Sequence, residues 1–256
     1  DALPIFGDKL ALGYADFVLS EAGFGADLGF EKFMHIKARF NDLEPDAAVL
    51  VATVRALKSH GGIPTKELDK PNEDAVHKGM ENLTHLISVV TAFGLPVIVA
   101  INHFPTDTEG ETAIVKKGCE TAGAFAAVES RVFAEGGAGA IELAEALIKA
   151  TSGPSPDIKY LYPIEGSIQD KVLALAKTVY NANDVSWSPN ALRTLRAYEA
   201  NGWGSLPVCM AKTNFSISHL ASLKGRPSGY TFEVADVRAS IGAGFIYPIA
   251  GNIVTM

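Results

Sequence analysis

The chain has 256 residues, a net charge of −7 at neutral pH and 48% hydrophobic residues. An acidic balance argues against nucleic acid as the main partner, because phosphate binding needs a basic face. No apolar run approaches the ~20 residues of a membrane span, so no membrane partner is expected. No basic stretch followed by an apolar core marks a signal peptide. The length suits one large domain or two smaller ones. Cys119 and Cys209 lie far apart in sequence and read as buried thiols of a reducing compartment, with the cytoplasm as the expected location. Asp1-Ala2-Leu3 lacks an initiator Met and Gly251–Met256 is an apolar run, so both ends read as cut from something longer.

In chain order, Ala15–Ser20 reads as a short strand and is followed by a glycine loop, Glu21–Gly29. A helix is expected from about Phe30 to Phe40, with Phe33, Ile36, Lys37 and Phe40 on one face. Glycines before a helix let backbone N–H groups approach a phosphate. Gly29 falls one position late for G-x-G-x-x-G, which counts against an NAD-linked oxidoreductase. Glu21 suits a polar substrate or a Mg²⁺-nucleotide, or else it caps the helix. A second strand spans Asp46–Val54 and leads into Arg55, Lys58 and His60 before Gly61-Gly62. That is an anion-binding edge, or a short solvated helix with a glycine C-cap. Pro71–Gly94 reads as a long helix with Val76, Met80, Leu83, Ile87 and Val90 inward and His77 and His85 on its surface. Val97–Ile101 is β-branched except at Ala100, as in a strand buried on both faces. It turns polar at Asn102 and is followed by Phe104, Asp107 and Glu109, with Thr106 or Thr108 capping a helix that begins near Gly110. Alternating strands and helices predict an α/β fold with a parallel sheet. Loops at the carboxyl ends of such strands are where ligands sit.

Farther on, helices are expected over Glu111–Gly123, Gly137–Ser152, Ser167–Asn181 and from Ser188-Pro189 to Gly202, with a short strand at Ala124–Glu129. Leu206–Ala211 reads as a buried strand leading to Lys212, Thr213 and Ser216, an anion or nucleotide edge or a hydroxyl-rich turn. Tyr230–Ser240 and Phe245–Ile249 read as a strand pair around Gly242 and Gly244. No His/Cys cluster has zinc spacing.

Val51–Gly62 (VATVRALKSHGG) resembles the signature of formate–tetrahydrofolate ligases. Val18–Phe33, Val97–Glu111, Phe133–Gly137, Gly202–Thr213 and Arg238–Phe245 resemble further segments of that family in the same order. The resemblance implies a reaction of ATP, formate and tetrahydrofolate giving ADP, phosphate and 10-formyltetrahydrofolate through formyl phosphate. It implies Mg²⁺ with the ATP, an assisting monovalent cation and a homotetramer. It also implies that Phe104 and Phe133 stack on the pterin, with Thr106, Asp107 and Glu109 around it. At the position of Phe133 the family usually has Trp, so weaker or shifted folate binding is expected. Glu21, Arg55 and Lys58 are the catalytic candidates, and Lys212, Thr213 and Ser216 the nucleotide contacts. No G-x-x-x-x-G-K-[ST] occurs. The resemblance is therefore to the C-terminal part of the family: the end of a P-loop-type domain over residues 1–103 and a smaller pterin-side α/β domain over 104–256. Such a chain is expected to be inactive alone. The alternatives are a non-catalytic folate-binding or assembly fragment and, less favoured, an NAD-linked oxidoreductase.

Overall fold

A computed structural model describes residues 2–251 and residue 253; Asp1, Asn252 and the last three residues of the closing run lie outside the described residues. The chain is α/β and forms two compact units, one of residues 45–159 with 224–226, the other of 1–44, 160–223 and 227–256. The chain thus divides at 44/45 and 159/160, and residues on both sides of 103/104 share one unit.

The chain opens with helix α1 (Ala2–Leu12). The strand expected at Ala15–Ser20 does not form: among the described residues no strand pairs with its backbone, and Phe17 and Leu19 are exposed. The expected helix follows as two wide-wound turns, Ala26–Phe30 and Phe33–Ala38.

The first unit's sheet begins with β1 (Ala48–Ala52), whose strand ends where Thr53 turns to cap α2 (Val54–His60) by accepting the Ala56 N–H. Then come α3 (Glu73–Ala92), β2 (Val97–Asn102), α4 (Glu109–Thr121), β3 (Ala126–Ser130), the short α5 (Val132–Glu135) and α6 (Ile141–Thr151). The strands pair in parallel in the order β1-β2-β3, as the alternation predicts. In β2, Val97–Ile101 are all buried, each large aliphatic contributing about 1.5–3 kcal/mol. Gly79 and Gly61 let α2 and α3 meet backbone to backbone: a Cβ at Gly79 would collide with the Leu57 carbonyl and one at Gly61 with Ala75. His77 is exposed as expected. His85 is instead buried, because α3 packs against α2, α4, β1 and β2 and so buries more than one stripe. Cys119 is buried on α4, and burial pushes its thiol up to about 12.

The other unit continues with α7 (Ile168–Thr178), β4 (Asp184–Trp187), α8 (Pro189–Ala200), β5 (Thr231–Ser240) and β6 (Phe245–Ala250). Ser188 caps α8 and Pro189 starts it, as expected. β4 runs parallel to β5, and β5 pairs antiparallel with β6. The buried positions on β5 slip from Phe232 and Val234 to Val237, because the register shifts between Val234 and Asp236 and moves later residues to the other face. Leu206–Ala211 is not a full strand. It is bridged to β6 only at Val208–Ile246 and Ala211–Ile249, and Pro248 lacks the N–H that would continue the ladder between them.

Lys171 on α7 is fully buried and donates to the carbonyls of Gly204 and Leu206, at 2.8 and 3.0 Å. Burial lowers its pKa to about 8. The unfolded chain then binds this proton more readily than the folded one. Stability should therefore rise as pH climbs from about 8 towards the ordinary lysine value of 10.5. Thermal melts between pH 7.5 and 9.5 should show that rise in the parent and a flatter profile in Lys171→Met. Equal slopes would remove Lys171 as its source.

Candidate ligand site at the sheet edge

β1, β2 and β3 end side by side, since Ala52 pairs with Ile101 and Asn102 with Ser130. The residues that follow these ends come from three loops but meet at one edge. From β1 come Arg55 and Lys58 on α2; from β2, His103 to Glu109; from β3, Arg131 and Phe133.

The loop after β2 is a four-residue turn closed twice. The Asp107 N–H donates to the Phe104 carbonyl and the Phe104 N–H donates to Asp107 Oδ2, both at 2.9 Å. Pro105 in the second position presets the backbone of such a turn. Thr108 then begins α4 with a capping box: its hydroxyl accepts the Glu111 N–H, and Glu111 Oε2 accepts the Thr108 N–H at 3.0 Å. Phe104 is 36% exposed as a residue, and the Arg55 guanidinium lies 5.7 Å from its ring centroid. Asp69 holds Arg55 in an ion pair. One side of the ring thus faces a fixed cation while part of it stays open. Asp107 Oδ1 is buried without a hydrogen-bond partner. Burial raises the Asp107 carboxyl above its usual value; the Phe104 N–H, His103 and Lys58 offset part of this, and Glu111 adds to it.

Behind the turn lies a buried ion pair. Lys58 Nζ is 2.7 Å from Glu111 Oε1 and also donates to the carbonyls of Leu68 and Lys70, at 3.2 and 3.0 Å. Glu111 Oε1 further accepts the Asn72 N–H at 2.8 Å. Burial alone would raise the Glu111 pKa, but Lys58 and the donors of Asn72 and Thr108 outweigh it and hold the carboxyl below its usual value. With three acceptors engaged, Lys58 has no N–H left for a ligand in this arrangement. It ties α2, the 68–72 loop and α4 together.

Phe133 on α5 is 98% exposed and follows Ser130 by three residues. Thr106 and Glu109 are exposed near Phe104. His103, Glu129 and Arg131 also meet at this edge. Glu129 Oε1 lies 3.1 Å from His103 Nδ1, without hydrogen-bond alignment, and forms an ion pair with Arg131. This trio was not foreseen; a His directly after a buried strand was the only signal in the sequence, since the neighbouring strand that brings Glu129 alongside is set by the fold.

The remaining candidates lie in the other unit. Glu21 is exposed in the loop before the first wide turn. Lys212 Nζ is 2.5 Å from Asp27 Oδ2, donates to the carbonyls of Thr213 and Ser216 at 2.9 and 2.6 Å, and lies 5.4 Å from the Tyr180 ring centroid. Burial lowers its pKa, and Asp27 counters this in part. The Thr213 hydroxyl accepts the Phe215 N–H, and the Ser216 hydroxyl bonds to Ser218 and the Leu223 carbonyl, which makes a hydroxyl-rich turn around a buried ammonium. Among the described residues, no group of three or more His, Cys, Asp or Glu side chains could hold a metal ion, and no helix is long and apolar enough to cross a membrane.

The family model for formate–tetrahydrofolate ligase matches residues 3–256. A formate–tetrahydrofolate ligase of Roseiflexus sp. (strain RS-1) is 49% identical, over 100% of this chain and 46% of its own length. One of Desulforamulus reducens is 47% identical over 98% of the chain and 46% of its own length. The cytoplasmic C-1-tetrahydrofolate synthase of Mus musculus is 45% identical over 98% of the chain and 28% of its own length. The chain spans about half the length of the bacterial relatives it matches.

Proposed function

Because the chain belongs to the formate–tetrahydrofolate ligase family, we propose that it supplies the folate-side part of a ligase joining formate to tetrahydrofolate at the expense of ATP. In this reading, formate oxygen attacks the γ-phosphorus of ATP and ADP leaves. The N10 amine of tetrahydrofolate then attacks the carbonyl carbon of formyl phosphate, phosphate leaves and the N10 proton is lost. The observation that carries the reading is the Phe104 ring at the carboxyl edge of the parallel sheet, one side against Arg55 and part of it open. A flat heteroaromatic pterin buries its face on such a ring. Phe133 is the second platform, and Thr106, Asp107 and Glu109 border the first. Arg55 and Glu21 remain the groups proposed to serve the anionic reactants. Lys212, Thr213 and Ser216 are proposed for the nucleotide side, which requires Lys212 to exchange one of its present acceptors for phosphate. Mg²⁺ would arrive with ATP and would neutralise phosphate charge there; a monovalent cation would assist.

The sheet would be the trailing part of a P-loop-type domain, with the phosphate-cradling groups outside these 256 residues. The reading further places the protein in the cytoplasm as part of a homotetramer. Titrating the purified chain separately with tetrahydrofolate and with Mg-ATP tests this division of labour. Folate should bind, while formate should not stimulate ATP turnover. A chain that turns over ATP with formate, or binds NAD in place of folate, would overturn it. Folate binding alone, with no gain of ligase activity on adding the remainder of the enzyme, would favour a purely folate-binding fragment.

A further inference from the structure

Phe104 can act as a platform only if its ring is held at one height and tilt, and the loop carrying it has no strand or helix to fix it. Two groups take that place. Asp107 occupies both backbone polar groups of Phe104, its N–H on the Phe104 carbonyl and its Oδ2 on the Phe104 N–H. Arg55, anchored by Asp69, faces the ring from α2. Asp107 is poorly placed to contact a ligand itself: Oδ2 is engaged and Oδ1 has no solvent exposure. The groups facing its carboxylate are His103 on its own loop, Lys58 from α2 and Glu111 from α4.

We propose that Asp107 is a positioning residue, which sets the Phe104 ring for a stacked pterin rather than touching the folate. This rests on the folate reading above. What the turn requires of residue 107 is an oxygen acceptor for the Phe104 N–H. The negative charge is not required, and burial works against it. Asparagine supplies the acceptor without the charge, whereas alanine supplies neither.

The test is the kinetics of Asp107→Ala, Asp107→Asn and Phe104→Ala in the full-length ligase, with melting temperatures alongside. Asp107→Ala should raise the tetrahydrofolate KM by about tenfold or more, in line with the cost of misplacing a positioned group, and leave the ATP KM unmoved. Asp107→Asn should recover most of that loss, to within about threefold of the parent, because the acceptor returns. Three results would each sink the proposal: an unmoved folate KM in Asp107→Ala, equal losses for folate and ATP with a lowered melting temperature, or Asp107→Asn as damaged as Asp107→Ala. The last would mean that the charge itself meets the folate. Phe104→Ala separates the two levels. If it too leaves the folate KM unmoved, the platform reading fails; if it raises KM while Asp107→Ala does not, only the positioning role fails.

Discussion

Lys58→Met should destabilise the unit of residues 45–159 by about 3–5 kcal/mol. Lys58 and Glu111 have no solvent exposure. Removing the ammonium strands a buried carboxylate and frees the carbonyls of Leu68 and Lys70. The double variant Lys58→Met, Glu111→Gln should recover part of the loss, since the neutral amide leaves no charge behind and its one carbonyl oxygen still accepts from either the Thr108 or the Asn72 N–H, which bond to different carboxylate oxygens in the parent. Urea midpoints of the parent, the single and the double variant decide this. A single variant as stable as the parent, or a double variant worse than the single one by the full cost of Glu111→Gln, would remove the pair as a source of stability. The pH dependence has a definite sign. The folded Glu111 carboxyl lies below its ordinary 4.5, so its contribution is fully present above that value. It is lost as pH falls through the lower, folded value.

Phe104→Ala in the full-length ligase should raise the folate KM by the equivalent of ~1–3 kcal/mol, the range seen when an aromatic under a stacked base is removed. The ATP KM should stay within about twofold if, as proposed, the ring serves folate and not the nucleotide. Phe104→Tyr should keep most of the affinity, since the face survives. A folate KM that does not move in Phe104→Ala would take this edge out of the folate site. Arg55 meets the site through its contact with this ring, which either single exchange already removes, so Arg55→Met with Phe104→Ala should cost less than the sum of the two singles.

The elements of the sheet unit were legible because their signals are local. Thr108, read as a cap, accepts the Glu111 N–H at the start of α4, whereas Thr53 and Asn72, which cap α2 and α3, had been read as part of a strand and of a helix. The β-branched run of β2 announces burial on both faces. Ala15–Ser20 carried a similar apolar signal and formed no strand, since a strand also needs a neighbour in space. β4, only four residues long, lay below what periodicity detects. For the candidate site, residue types and the sheet edge could be read, but not the division of roles. Lys58, read as an anion contact, is paired with Glu111, 53 positions away, and Asp107, read as a pterin contact, accepts the Phe104 N–H; neither partner could be read from the sequence.

By itself, the sequence determined the α/β alternation, the helix caps, the buried central strand and the family. All of these rest on short-range propensity, hydrophobic period or ordered motifs. Only the tertiary structure decided which charges are spent inside the protein and which remain for a ligand. Lys58 and Lys212 read as cations available to an anion, and Lys171 carried no signal, yet each is buried and donates to backbone carbonyl oxygens. A buried ammonium is tolerated only where acceptors surround it, and those acceptors are set by contacts that no local pattern encodes.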